Sequence, residues 1–262
     1  MFRRVQSARG RSRTGLFSIE GTRLVERAFK AGAALETVLV AESLAGRDES
    51  RVRELLDALQ FAGCDIITAQ DDVLRELTEG RDLGLILGLV RLPPALSLSN
   101  VLAARDAADK EPLLLLGAVD IVDPGNVGAL VRTAHASGAA ALLTVGASDP
   151  FHPRATRISR GSIFRLPVVA YETASSLLDD LRHHHIATAG TAARGGIPLP
   201  QMEWSRAGVA ILMGNEAEGL PPAIQAALDF NITIPMPNDV DSYSVNAAAA
   251  VILYAAAQAR KT

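Results

Sequence analysis

The sequence predicts an α/β protein of two modules, the second and larger one built on a mainly parallel sheet. Three observations carry this reading. Apolar runs of strand length alternate with amphipathic stretches of helix length along most of the 262 residues, the pattern of helices packed on a sheet. Beyond residue 111 most of these runs are continuously apolar instead of alternating, which marks parallel strands covered on both faces. Between the two regimes RLPPALSLSN, residues 91–100, breaks the pattern with Pro93, Pro94 and a serine-rich stretch, the best candidate boundary in the chain. The division expected is a basic arm at 1–14, a first module at 15–92, a linker at 93–110 and a second module at 111–262.

Taken in order, residues 1–13 hold Arg3, Arg4, Arg9, Arg11 and Arg13 and no acid. Such an arm is either a disordered solubilising tail or an electrostatic handle for phosphate backbones. LFSIEG starts a strand or turn, and TRLVERAFKAG follows with Leu24, Val25 and Ala28 at helical spacing. ETVLVAE alternates as a strand, ESRVRELLDALQFAG is an amphipathic helix, and CDIITA is another strand. DDVLRELTEG is a short helix that Asp71 or Asp72 could cap, and LGLILGLVRL is the last apolar strand of the first module. VLAARDAADK forms a short helix leading into the second. Its strands are expected at 113–119, 141–145, 166–171, 185–191, 209–214 and 230–235. In sheets of this kind ligands bind beyond the carboxyl ends of the strands. Three polar, glycine-containing segments follow strands there: 120–132, 214–221 and 236–246.

Bulk properties exclude several classes. Hydrophobic content is 48% and the formal charge −3, so the chain is well cored and any basic surface is local. Cys64 is the only cysteine, which rules out an internal disulfide, fits a reducing cytoplasm, and reads as a small buried apolar residue. No apolar run reaches the ~20 residues that span a bilayer, and no apolar stretch follows Arg3 and Arg4 as in a signal peptide. A cytoplasmic protein without membrane or metal is expected. His183, His184 and His185 resemble a metal cluster in composition only, because consecutive residues point in different directions. The dinucleotide glycine fingerprint, the P-loop and the hydrolase nucleophile elbow are absent.

The three loops carry the chemistry. In DIVDPGNVGALVRTAHASG, Asn126 is placed to cap a helix closed by Gly138. Val127, Leu130, Val131 and Ala134 form its buried stripe, leaving Gly128, Arg132 and His135 on another face, either an ordinary surface or a site. MGNEAEGLP brackets Asn215 and Glu216 with Gly214 and Gly219, a backbone-lined cradle or a plain turn. IPMPNDVDSYSVNAAAAVILYAAA joins a proline-stiffened polar loop to a helix with almost no charge. That helix must be buried all round, against its own sheet or a second subunit. Between the first two loops HPRATRISRGSIFR holds Arg154, Arg157, Arg160 and Arg165 without an acid, a phosphate-binding strip or a solvated face.

At these loops the chain resembles the SpoU (TrmH-type) branch of the SPOUT RNA methyltransferases. Asn126, Gly128, Arg132, Thr133 and Ala134 match the family's first motif. Gly214, Glu216 and Gly219 match the second. Ile234, Pro235, Met236, Ser242 and the alanine-rich helix match the third. SRGSIFRLPV is similar to the segment after the family's second strand, and LFSIEGTRLVERAFKAG resembles the L30e-like RNA substrate-binding domain that many members carry. One departure stands out: Ser244 occupies the place of the third motif's usual Asn, and Asn246 that of its usual Ser.

The resemblance implies a trefoil-knotted SPOUT domain behind the L30e-like one. It also implies bound S-adenosylmethionine, a homodimer that completes the site, and methylation of a ribose 2′-hydroxyl in structured RNA, ribosomal more than transfer RNA. Arg132 matches the catalytic arginine. A guanidinium stays protonated in proteins and cannot act as a simple base, so electrostatic stabilisation of the ionising hydroxyl is its expected role, with Asn126 and Glu216 fixing it and the ribose. Gly214, Asn215, Gly219, Ile234, Met236, Ser242 and Tyr243 are the expected donor-binding residues, with Thr191 a further candidate. Arg9, Arg11, Arg13, Arg154, Arg157 and Arg160 are the expected RNA contacts. The rival reading is an RNA-binding protein of the same fold with a degenerate site. A nucleotide-cofactor oxidoreductase is disfavoured by the missing glycine fingerprint.

Overall fold

A computed structural model describes residues 1–45, 50–81, 85–105, 111–204, 208–237 and 241–259. The described chain forms two compact units. One comprises Met1–Pro94 together with Phe151–Arg165, the other Ala95–Pro150 together with Leu166–Thr262.

The arginine-rich start is folded. A 3-10 turn at Arg4–Gln6 leads into α1 (Ala8–Thr14), where the Ser7 side chain accepts from the Gly10 N–H. Arg11 is 3% exposed, and its guanidinium donates to the carbonyls of Val5 at 2.8 Å and Gln6 at 3.0 Å. The chain continues through β1 (Leu16–Glu20), α2 (Thr22–Lys30), β2 (Leu35–Ala41), α3 (Glu42–Ala45) and α4 (Ser50–Phe61). It then forms β3 (Asp65–Ala69), α5 (Asp71–Leu77) and β4 (Ile86–Arg91). The strands lie in the order β1-β4-β2-β3. Leu24, Val25 and Ala28 are the buried residues of α2, as their spacing predicts. Glu26 on the same helix has its carboxyl pulled down to about 2 by hydrogen bonds from Lys30 and from Arg51 of α4. Gln70, not an aspartate, occupies the cap position of α5; Asp71 instead accepts from the Ser43 N–H. Cys64 is buried, and burial pushes its thiol up.

The second unit opens with α6 (Leu98–Ala104), started by a capping box between Ser97 and Asn100; the rest of the expected helix, 106–110, lies outside the described residues. There follow β5 (Leu113–Val119), α7 (Pro124–Ala136) and β6 (Ala141–Val145). The chain then contributes α8 (Pro153–Ile158) to the first unit and returns as β7 (Val168–Tyr171), α9 (Ala174–His183), β8 (Ala187–Thr191) and β9 (Ile197–Pro198). It ends with β10 (Gly208–Met213), α10 (Pro222–Ala227), β11 (Phe230–Thr233) and α11 (Val245–Ala259). The seven strands lie in the order β7-β6-β5-β10-β8-β11-β9, and every pairing is parallel. β5 and β10 are buried along their whole length, which is what their unbroken apolar sequences demand. Inserting β10 between β5 and β8 breaks sequential order at the middle of the sheet. Loops after β5, β8, β10 and β11 therefore gather at one end, where ligands of open parallel sheets bind.

The excursion at 151–165 is built into the first unit. Phe17 of β1 packs against Phe151 and Phe164 with ring centroids 5.1 and 6.4 Å away. Thr156 Oγ1 donates to the Ser18 carbonyl. Glu20, 4% exposed, accepts from Arg81 at 3.1 Å and from Arg157 at 2.8 Å. A carboxylate buried this deeply persists only when paired, so these arginines are a condition of Glu20 being there.

Among the described residues no helix is long and apolar enough to cross a membrane.

Candidate active site

The helix that follows β5 is started differently from the sequence expectation. Asp123, not Asn126, is the N-cap of α7: its carboxylate accepts from the Asn126 N–H at 2.9 Å, and Pro124 takes the first helical position. The proline ring fixes the φ that a first helical residue needs, which pushes the cap back to the residue before it. Asn126 then stands in the first turn with its side chain free for other work, and its Nδ2 donates to Glu216 Oε1 at 2.8 Å. This bond joins the first loop to the second.

The second loop is held by its own backbone. Asn215 Oδ1 accepts from the N–H groups of Ala217 and Glu218, the Gly219 N–H donates to the Asn215 carbonyl at 2.8 Å, and Asn215 Nδ2 donates to the Asp120 carbonyl at 3.0 Å. Gly214 cannot be anything larger. A Cβ there would sit 2.2 Å from the carbonyl carbon of Gly219 and the nitrogen of Leu220, so the cradle closes only because that position has no side chain.

The third loop enters α11. Ser244 does the capping: its carbonyl accepts from Ala248 at 2.9 Å and its hydroxyl from Ala247 at 3.4 Å. Asn246 faces α7 instead, and Thr133 Oγ1 donates to its Oδ1 at 2.8 Å. The exchanged pair thus divides two tasks, one starting the helix and one tying it to α7. Asn238 and Asp239 of this loop lie outside the described residues.

The three loops surround one cavity of about 660 Å³. Of the sequence-predicted residues, Asn126 and Glu216 line it, with Gly214, Asn215, Gly219, Ile234, Met236, Ser242, Tyr243 and Thr191. Arg132 is not part of that lining. It is exposed on α7, and its side chain makes no hydrogen bond or ion pair to another described residue.

The predicted RNA contacts divide. Arg9, Arg13, Arg154 and Arg160 are exposed. Arg157 is engaged with Glu20. Arg11 is a correction: it is buried and spends its guanidinium on carbonyls of the preceding turn, which leaves it no surface to offer. The histidine run makes local contacts, with His184 Nε2 lying 3.1 Å from Ser99 Oγ and 3.6 Å from Asp180 Oδ1. Tyr171 donates to the same aspartate at 2.7 Å; burial, with Asp180 alongside, pushes its phenol well above the usual range.

Sequence reasoning missed Arg194 and Gln225 in the lining. Arg194 stands in TAARGG directly after a strand, and the glycine pair beside an arginine is the signal that could have found it. Gln225 gave none; its side chain donates to the Leu220 carbonyl at 2.7 Å, five residues back.

Comparison with known proteins finds two family matches along the chain. Residues 113–254 match the SpoU rRNA Methylase family and residues 1–82 the MRM3-like substrate binding domain. The chain is 29% identical, over 97% of its own length and 93% of the relative's, to the 23S rRNA (guanosine(2553)-2′-O)-methyltransferase RlmP of Bacillus subtilis. It is 30% identical, over 86% of the chain and 91% of the relative, to the 23S rRNA (guanosine-2′-O-)-methyltransferase RlmB of Acinetobacter baylyi. The crystal structure of the SpoU methyltransferase AviRb from Streptomyces viridochromogenes, in complex with the cofactor AdoMet, superposes with a TM-score of 0.86 at 27% identity, covering 100% of this chain and 98% of that one.

Proposed function

The chain belongs to the SpoU rRNA Methylase family, and on that premise we propose that it transfers a methyl group from S-adenosylmethionine to a ribose 2′-hydroxyl of 23S ribosomal RNA. One observation carries the reading: the residues expected to hold the donor, drawn from separate parts of the chain, line a single cavity at the switch point of a parallel sheet. Its volume falls within the ~300–1,000 Å³ of small-molecule sites. Gly214 lets the second loop close on its own backbone, because a Cβ there would meet Gly219 and Leu220, and this fixes the loop as one wall of the cavity. Ribosomal RNA is favoured over transfer RNA by the names of the relatives.

When bound, the sulfonium donor supplies an activated methyl group. Everything else falls to this chain. Asn126, oriented by Glu216, positions the ribose; alignment of the reactants is worth ~7–11 kcal/mol of a barrier of this kind. As the new C–O bond forms and the C–S bond breaks, the electron pair returns to sulfur and the hydroxyl proton passes to solvent. Arg132 stabilises the developing oxyanion and the adjoining phosphate, a role that needs a permanent charge and no proton exchange. Its absence from the cavity of its own chain is the reason for assigning a homodimer, in which Arg132 of one subunit completes the site of the other. Ala250, Val251 and Tyr254 give α11 an exposed face without charge that suits such an interface. Arg9, Arg13, Arg154 and Arg160 are the proposed phosphate contacts of the substrate-binding unit, and the cytoplasm is the proposed compartment.

The test is calorimetric titration with S-adenosylmethionine of the wild-type protein and of Gly214→Trp, followed by labelled-methyl transfer to 23S and transfer RNA. Micromolar binding abolished by the substitution, with alkali-resistant label entering 23S RNA, is the expected result. Absence of donor binding both with and without RNA would leave an RNA-binding protein with a degenerate site as the better description.

A further inference from the structure

We infer that Arg194 recognises the carboxylate of the donor's amino-acid tail and is the residue by which the site requires an intact methionine moiety. The inference rests on the methyltransferase reading and goes beyond it by assigning one end of the ligand to one side chain.

Charge leads to it. The cavity is lined by three carboxylates, Glu216, Glu218 and Asp241, and among its described lining residues Arg194 is the one cation. At neutral pH the donor bears a sulfonium, an ammonium and a carboxylate. An acidic lining matches the two positive groups and repels the negative one. Only a local cation lets the carboxylate settle there, and a guanidinium does so with a planar fork that meets both oxygens at once.

The backbone around Arg194 is built to present it. The Ala192 N–H donates to the Ile232 carbonyl at 2.9 Å, and Thr233 Oγ1 donates to the Ala193 carbonyl at 3.1 Å. On the other side Gly195 has φ +77°, a left-handed turn, and Gly196 runs so close to β11 that a Cβ would lie 2.6 Å from the Asn231 carbonyl oxygen. β9 then pairs with β11. Both flanks of Arg194 are thus fastened to one strand of the sheet, while its own side chain is exposed and makes no hydrogen bond or ion pair to another described residue. A loop anchored this way places a charged group at the rim without backbone ordering cost at the moment of binding, leaving only the side chain's own rotamers to be fixed.

The experiment pairs a change in the protein with a change in the ligand. Wild type, Arg194→Ala and Arg194→Lys are titrated calorimetrically with S-adenosylmethionine and with its decarboxylated analogue, which keeps both positive charges and lacks only the carboxylate. The expected result is that Arg194→Ala weakens S-adenosylmethionine roughly tenfold or more, the scale of a charge-assisted hydrogen bond, and changes the analogue less than about twofold on the same scale. Arg194→Lys falls between. Equal weakening of both ligands would make Arg194 a support of the loop and overturn the inference. No weakening of either, including the case where RNA affinity falls instead because the guanidinium holds a phosphate, would overturn it too. Wild type binding neither ligand would instead remove the methyltransferase reading on which the inference stands.

Discussion

Asn126 and Arg132 share α7, yet at 3.6 residues per turn they point roughly 120° apart around its axis. That separation explains why one lines the cavity and the other stands outside it. It also separates their jobs experimentally. Arg132→Ala is expected to lower the single-turnover methylation rate at saturating RNA by about 10²–10³, the usual effect of removing one preorganised charge partner, while donor affinity in the absence of RNA stays the same. Arg132→Lys recovers little, because a point charge lacks the planar fork. An unchanged rate in Arg132→Ala would take the residue out of the mechanism. Gly214 was legible in the sequence because backbone geometry dictates it, whereas local spacing gave Asn126 the cap that belongs to Asp123, and only its place in the first motif pointed to the site. Arg194 and the Thr133–Asn246 bond were not legible, since the meaning of each depends on partners far along the chain.

Helix starts and edge strands mark where reading by pattern loses resolution. The expected α7 begins within a few residues of the observed one, but its cap belongs to Asp123 because Pro124 occupies the first helical position. Asp123→Ala is therefore expected to cost about 1 kcal/mol of stability, seen as a lowered thermal midpoint. Asn126→Ala spares the cap bond, since Asp123 accepts from the Asn126 backbone, and costs activity more than stability. Equal midpoints for Asp123→Ala and wild type would contradict the assignment. The long strands, β5 and β10 above all, were readable because burial on both faces forces continuous apolar sequence. β9 is two residues long, and nothing periodic can announce a strand that short.

At the scale of the molecule, α11 leaves Val251 42% and Tyr254 66% exposed, an apolar face that a homodimer would cover. Tyr254→Glu is expected to shift the protein from dimer to monomer in sedimentation equilibrium and to lower methylation more than donor binding. A wild type that sediments as a monomer would require Arg132 to act within its own subunit. The same scale holds what the sequence concealed most completely, that HPRATRISRGSIFR completes the unit begun by the N-terminus. Its arginines suggested a surface strip, and Arg154 and Arg160 are exposed; the ring of Phe164, with that of Phe151 just before the segment, packs on Phe17 and makes the segment part of a core as well. This has a consequence for synthesis. A ribosome that has delivered the first ninety-four residues has delivered Phe17 without its ring partners and Glu20 with one of its two arginines. Translation runs on through β5, α7 and β6 before the missing piece emerges, so the N-terminal unit is the first begun but cannot be finished until the opening strands of the other have been made.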